Sequence, residues 1–277
     1  MRIDERIEQH YAALGPQEQL VADTILNHMG DLAVYNAAEL ARLSGVSKAT
    51  VSRLFRRLGF ADFHEVKEHA RALRSSGVPL ATRGSEDDLL AHAAQEQENL
   101  GRLFGSVDKA RLGHAARLVA EARSALLIGF RNSFPLALHL RQQLLQCRDG
   151  IGLAPQPGQT LGEELAGLGP ADAVVLLGFR RRPEAFASVL KAAAGTGAST
   201  VLMGDASARR LAAHATVWIE CPVESSGAFD SYAAAMSLLS VFANEVLATV
   251  GRLGTKRISD ISALFDSLHE IERLPNH

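Results

Sequence analysis

Twelve residues, Ser47–Leu58 (SKATVSRLFRRL), carry four cationic side chains, Lys48, Arg53, Arg56 and Arg57, and no acidic one. Val51, Leu54, Phe55 and Leu58 recur at i, i+3, i+4 and i+7, which places them on one face of a helix. The opposite face then presents Lys48, Ala49, Ser52, Arg53 and Arg56. Small polar residues in a first turn, followed by arginines, suit a helix whose N-terminal end enters the DNA major groove. In that arrangement Lys48, Ala49, Thr50, Ser52 and Arg53 meet base edges, Arg56 and Arg57 meet phosphates, and Ser47 completes the set at the helix start.

Two later loops carry a second kind of chemistry. Gly129-Phe-Arg-Asn-Ser133 follows the apolar run SALLIG, and Gly178-Phe-Arg-Arg-Arg-Pro183 follows AVVLLG. In open α/β sheets, ligands bind beyond the carboxyl ends of strands, where helix N-termini offer unpaired N–H groups to anions. The expectation is an anionic effector held by Gly129, Arg131, Asn132, Ser133, Arg180, Arg181 and Arg182, with Ser225 and Ser226 completing the pocket. Guanidinium forks bind carboxylate or phosphate bidentately. Three arginines at a helix N-terminus would each oppose the macrodipole by about 0.3–1 kcal/mol. Something negative must compensate, either a ligand or a nearby carboxylate such as Glu184. A solvated arginine cluster, or a salt-bridge patch between subunits, is the plainer alternative.

The elements that position these residues follow from periodicity and punctuation. Leu20, Val21, Ile25 and Met29 have helical spacing behind Pro16. Asn36 with Glu39 forms a capping box for a short helix through Leu43. Gly45 makes the turn, Ser47 caps the next helix, and Val46 with Val51 forms a hydrophobic staple. A further helix runs from about Asp62 toward Ser75. Ser75–Pro79 and Thr82–Asp88 read as a linker, followed by helices at roughly Asp87–Leu103 and Asp108–Ala122. Then Ser124–Gly129, Ala173–Gly178, Ser199–Met203 and Ala215–Glu220 are short apolar strands, with a weaker one near Gly150–Leu153. Helices at Pro135–Cys147, Pro183–Ala194 and Ala206–Ala213 separate them, which indicates a parallel sheet covered on both faces. Long helices at Phe229–Val250 and Ser259–Leu274 close the chain. The fold class expected is an all-α helix-turn-helix domain followed by a three-layer α/β domain with a parallel, flavodoxin-like sheet. Its parts are a DNA-binding domain at 1–77, a linker and connecting helix at 78–106, an effector-sensing domain at 107–251, and a C-terminal helix at 252–277.

Composition limits the function classes. The 277 residues carry a net charge of −2, so any attraction to nucleic acid must be local. Residues 36–74 hold eight Lys/Arg against four Asp/Glu, a local +4. Cys147 and Cys221 lack a metal-type spacing and sit in apolar runs, as inert reduced thiols do. The opening MRIDERIEQH has no apolar h-region, and no uninterrupted apolar run approaches membrane-spanning length, so a cytoplasmic protein is expected. No metal cluster, P-loop or dinucleotide fingerprint is present, and no cofactor is expected. Candidate bases for sugar-phosphate isomerisation are His139, Glu163, Glu164, Glu220 and Glu224, but no spacing singles one out, and no catalytic residue is assigned. Phe130, Phe134 and Phe179 lie near the loops, where aromatics are usually core.

The segment AAELARLSGVSKATVSRLFRRLGFADFHEVK resembles the N-terminal domain of the RpiR (MurR/RpiR) bacterial transcription regulators. The shared pattern is LA…GVS.ATVSR…LGF..F.E.K, and the upstream LGPQEQLVADTIL is similar to that family's opening helices. The order of elements over about Val107–Val250 resembles a sugar-isomerase (SIS) domain. The resemblance implies a homodimeric or homotetrameric repressor or activator that binds a double-stranded operator. Its SIS domain would sense a small molecule, commonly a sugar phosphate. One departure stands out. Phosphosugar-binding SIS loops usually read S-x-S-G-x-T after this strand, whereas Gly178-Phe-Arg-Arg-Arg has no hydroxyl. Two other readings stay open: a SIS-type isomerase with an accessory helical domain, and a regulator whose SIS domain only dimerises.

Overall fold

The computed structural model describes residues 2–29, 32, 35–75, 88–227 and 229–271. It forms two compact units, residues 1–97 with Glu224–Ser231, and residues 98–223 with 232–277. Residues 76–87, which hold most of the expected linker, lie outside the described residues.

The first unit contains helices α1 (Ile3–His10), α2 (Pro16–Asn27), α3 (Ala37–Leu43), α4 (Lys48–Arg57) and α5 (Phe63–Ser75). Each start has a local cause. Pro16 occupies the first position of α2, where its missing N–H leaves no bond unmade. Asn36 Oδ1 accepts the Ala38 and Glu39 N–H groups at 2.9 and 3.0 Å, and Glu39 Oε2 accepts the Asn36 N–H at 2.7 Å. This is the expected capping box. Gly45 takes φ +67°, and Ser47 Oγ accepts the Thr50 N–H at 3.2 Å to open α4. Val51, Leu54, Phe55 and Leu58 are all buried in a core shared with Ile7, Ile25 and Leu40. Burying each is worth about 1.5–3 kcal/mol, so the stripe decides which way the basic face of α4 turns. Arg6 Nη1 donates to the Leu58 carbonyl at 2.8 Å, and its guanidinium lies 4.4 Å over the Phe60 ring. That contact ties α1 to the C-terminal end of α4.

The second unit is built on a five-stranded parallel sheet of order β2-β1-β3-β4-β5. Its strands are β1 (Ala125–Gly129), β2 (Ile151–Ala154), β3 (Ala173–Leu177), β4 (Ser199–Gly204) and β5 (Val217–Glu220). Side chains alternate between two cores. Ala125, Leu127, Val175, Leu177 and Val201 join the core of α7 (Lys109–Ala120), α8 (Ser133–Cys147) and α11 (Ala233–Val250). Leu126, Ile128, Val174, Leu176 and Leu202 join the core of α9 (Leu161–Ala166) and α10 (Phe186–Gly195). This is the three-layer arrangement expected. The chain runs from β1 to β2 across one face and crosses the other face from β3 onward, so the winding reverses between the neighbours β1 and β3. Helix α11 is long and apolar enough to pass for a membrane span, but Ala234, Leu238, Leu239, Phe242 and Val246 are buried in the core.

Several boundaries differ from expectation. Helix α8 begins at Ser133 rather than Pro135, α11 at Ala233 rather than Phe229, and α12 spans Arg252–Leu268 rather than starting at Ser259. Residues Ala206–His214 form a 3₁₀ rather than an α-helix, and α9 was not anticipated. Helix α6 (Asp88–Ser106) runs three residues past the expected Leu103.

A buried carboxylate braces the N-terminal ends of β1 and β3. Asp172 is 2% exposed, pairs with Arg123 at 2.7 and 3.0 Å, and accepts from the Ser124 hydroxyl at 2.8 Å and the Gly169 N–H at 2.9 Å. The Arg123 guanidinium holds this carboxyl well below the usual carboxylate range, against the opposing effect of burial. A pKa lowered by folding stabilises the fold above the unfolded value of about 3.9, and that contribution is lost as pH falls below it. We predict that urea midpoints of the wild type fall between about pH 5 and pH 2, and that Asp172→Asn is less stable at neutral pH with a flatter acid limb. Parallel acid limbs for the two proteins would show that Asp172 does not carry this dependence.

Candidate functional site

On α4, Ser47, Lys48, Ala49, Ser52, Arg53 and Arg56 are exposed together on the face opposite the core. Thr50 is not among them. It is 5% exposed, and its hydroxyl lies 3.0 Å from Ser47 Oγ and accepts from Arg53 Nη2 at 3.2 Å. Thr50 stands on the edge of the apolar stripe, one turn before Leu54, so packing draws it inward. Thr50 is therefore buried beside Arg53, and is not exposed with the rest of the expected set. Arg57 is exposed but pairs with Glu18 at 2.8 Å, and Glu18 also accepts the Gly15 N–H that opens α2. Arg57 thus locks α4 to α2, and the Arg56 guanidinium is the one in the last turn exposed without a partner among the described residues.

The second candidate region lies at the carboxyl ends of β1 and β3, where the winding reverses. Gly129 ends β1 under the first turn of α8, and Asn132 and Ser133 begin that helix. Ser133 is buried, while Arg131 and Asn132 are exposed. After β3, the loop departs from expectation. Helix α10 begins at Phe186, so Arg180–Arg182 precede the helix and do not sit at its N-terminus. The reason is a buried aspartate. Asp205, 1% exposed at the end of β4, meets Arg180 Nε at 3.4 Å and Arg182 Nη1 at 3.3 Å. Arg182 also donates to the Gly178 carbonyl at 2.8 Å and to Ser207 Oγ at 3.0 Å, which folds residues 178–185 into an irregular loop. Burial pushes the Arg182 guanidinium below its ordinary value, and Asp205 offsets only part of that. The compensating negative group is therefore Asp205, not Glu184.

The four loop arginines consequently divide into two kinds. Arg180 and Arg182 are anchored on Asp205. Arg131 and Arg181 are exposed, and their guanidinium groups have no hydrogen-bond or ion-pair partner among the described residues. Both take left-handed backbone conformations, φ +53° and +62°, which are unfavourable for a residue with a Cβ. Strain of this kind concentrates at ligand clamps and switch regions. The aromatic side chains pack behind them: Phe130 lies 6.1 Å from Phe186, and Phe179 lies 5.7 Å from Tyr232. Ser225 and Ser226 fall in the segment that groups with the first unit. Of the candidate bases, Glu164 accepts the Gln159 amide at 2.9 Å and Glu220 is paired bidentately with Arg209. Glu163 is exposed, His139 is half-buried on α8, and Glu224 groups with the first unit.

A capped, basic helix in one unit and a three-layer parallel sheet in the next define a class: a helix-turn-helix regulator with an α/β partner domain. Residues 1–74 match the helix-turn-helix domain of the rpiR family, and residues 118–245 match the SIS domain. The chain thus carries an rpiR-family helix-turn-helix domain followed by an SIS domain. No curated protein matches it in sequence. Among solved structures, it is similar to the sugar isomerase domain of an RpiR transcription factor from Sphaerobacter thermophilus, with 17% identity and a TM-score of 0.60, covering 64% of this chain and 99% of that one. It is also similar to the Vibrio vulnificus NanR protein complexed with ManNAc-6P, with 18% identity and a TM-score of 0.59, covering 96% of this chain and 99% of that one. At these identities the likeness concerns the fold.

Proposed function

We propose that the chain is a transcription regulator whose α4 reads an operator and whose SIS domain senses a small anionic metabolite, a sugar phosphate or a carboxylate, that shifts operator binding. The observation that carries the sensing half is the pair of unpartnered arginines, Arg131 and Arg181, on adjacent loops where the winding reverses. A guanidinium from each loop can grip one anion, and the anchored Arg180 and Arg182 hold the second loop in place. The sugar phosphate named with the Vibrio vulnificus NanR structure makes hexosamine phosphates the first class to try. Binding there would change the balance between conformations that fit DNA and conformations that do not, by the difference in affinity for the two.

The test uses the full chain and fluorescence anisotropy on an operator duplex, with a panel of sugar phosphates and carboxylates. Arg131→Ala/Arg181→Ala should keep operator affinity and lose the response to the anion by at least about tenfold in effective concentration. An unchanged response in that variant would remove the crevice from the account.

The DNA half predicts two different losses. Arg53→Ala should cost about 1–3 kcal/mol on the operator and relax base preference, whereas Arg56→Ala should weaken all sequences alike and lower the salt slope by about one. Titrations on operator and random duplex at several salt concentrations separate them. Equal losses on both duplexes for Arg53→Ala would argue that it touches only phosphate.

A further inference from the structure

The edge of the sheet at β5 carries a feature that neither operator reading nor effector sensing uses. Cys221 N–H donates to the Gly204 carbonyl at 2.8 Å. In a parallel ladder, alternate residues bond the neighbouring strand, so residues 217, 219 and 221 face β4. The N–H and C=O groups of Trp218 and Glu220 therefore point outward, and among the described residues no further strand pairs with them. Two adjoining cavities, of about 430 and 530 Å³, run along this open edge and share Asp108, Arg111 and Trp218. Helix α7 forms one wall with Arg111 and His114, and the 3₁₀ segment forms the other with Arg209.

The charges in this groove are unevenly satisfied. Glu220 is held by Arg209 at 2.8 Å through both oxygens, and Asp108 Oδ1 accepts the N–H groups of Ala110 and Arg111 that open α7. The Arg111 guanidinium is exposed and has no partner among the described residues. A free strand edge, a groove along it and one unpaired guanidinium at the point the two cavities share fit one kind of occupant.

We propose that the β5 edge is a docking site for an extended acidic peptide segment of a partner protein, which adds a sixth strand and sets a carboxylate against Arg111. Strand addition uses main-chain bonds for affinity and alternate side chains for specificity. In such a strand every second side chain faces α7 and Arg111, and the others face the side of the sheet on which Trp218 packs. The segment that fits thus alternates acidic and apolar residues.

Trp218 is the single tryptophan of the chain, so its fluorescence reports on the groove directly. The probe is an acetylated, amidated hexapeptide of alternating valine and glutamate, titrated into the full-length protein. The expected result is a saturable change that weakens at least about tenfold with Arg111→Ala and with lysine in place of the peptide's glutamates. N-methylation of alternate peptide bonds on the pairing edge should abolish it. The proposal is overturned by no saturable change up to about 1 mM peptide, or by equal affinity for the N-methylated peptide or the Arg111→Ala protein. A Trp218 signal that instead follows protein concentration without peptide would assign the edge to a second copy, which also overturns it. Arg111 is exposed on a helix, and alanine favours that helix, so the variant tests the contact and not the fold.

Discussion

Arg148→Ala is expected to cost the α/β unit about 3–5 kcal/mol, and to lower its melting temperature by roughly 6–20 °C. Arg148 is 8% exposed and has no carboxylate partner in the contacts it makes. Its guanidinium instead donates to main-chain carbonyls: Asp149 at 2.9 Å, Val119, Ala120 at 3.3 Å, Ala122 at 2.8 Å and Arg123 at 3.2 Å. Val119 and Ala120 belong to the last turn of α7, whose carbonyls have no intrahelical donor. A cation there also meets the negative end of the helix dipole. One side chain therefore satisfies the end of α7 and the entry into β1 from the far end of α8. Removing it leaves several buried acceptors unpaired, and water reaches them only if α7 loosens. Lysine supplies three donors from one point and cannot span the same arc, so Arg148→Lys should recover only part of the loss. Urea unfolding of the three proteins measures this. A variant within about 1 kcal/mol of wild type would mean the carbonyls find other donors.

Gly129→Ala is expected to cost about 3 kcal/mol, at the upper end of overpacking penalties. A Cβ on Gly129 would lie 2.7 Å from the Ser133 carbonyl carbon and 3.0 Å from Ala137 Cβ, and nearer still to the Ser133 oxygen. The two Ser133 atoms are backbone of the first turn of α8, and neither they nor the Ala137 Cβ can rotate away as a longer side chain could. Glycine is needed here for space, because it lets the helix start directly over the end of β1. Displacing that turn also displaces Arg131–Ser133, so the effector response should weaken along with stability. Gly162→Ala is the control. It lies in α9 with nothing within 4 Å of its Cβ position, and should be neutral or stabilising by up to about 1 kcal/mol. Equal stability of the two variants would refute the close-approach argument.

The helix-turn-helix was legible because its determinants are local. Cap, turn glycine, staple and apolar stripe all fall within Asn36–Leu58, and each acts across one helical turn. What escaped reading there was non-local or borderline: the Arg57 partner is Glu18, thirty-nine residues away, and Thr50 stands at the edge of the stripe. The sheet was legible from its apolar runs, since strands buried on both faces leave a plain signal. The arginine loop was not, because its counter-ion arrives through strand register. Leu177 pairs with Met203, which brings Asp205 beside residues 178–182, and nothing in the local sequence announces that. Arg148 likewise gives no local signal, since its partners are carbonyls on another helix. Helix α12 begins at Arg252 and not at the expected Ser259. Gly251, at φ +65°, does end α11, but Gly254 lies inside α12 and allows close packing, with its Cβ position 2.8 Å from Leu247 Cδ1.

The central claim is that α4 reads sequence and does not merely hold phosphates. Selection of duplexes from a random DNA pool by the full-length protein at physiological salt tests it most directly. The account predicts enrichment of one pseudo-palindromic sequence, with half-sites separated by whole helical turns of about 34–36 Å, bound at least about 10³-fold more tightly than the starting pool. Arg53→Ala should blur that sequence at one position in each half-site. A pool that stays unenriched after repeated rounds, bound with the same affinity and salt slope as at the start, would contradict it.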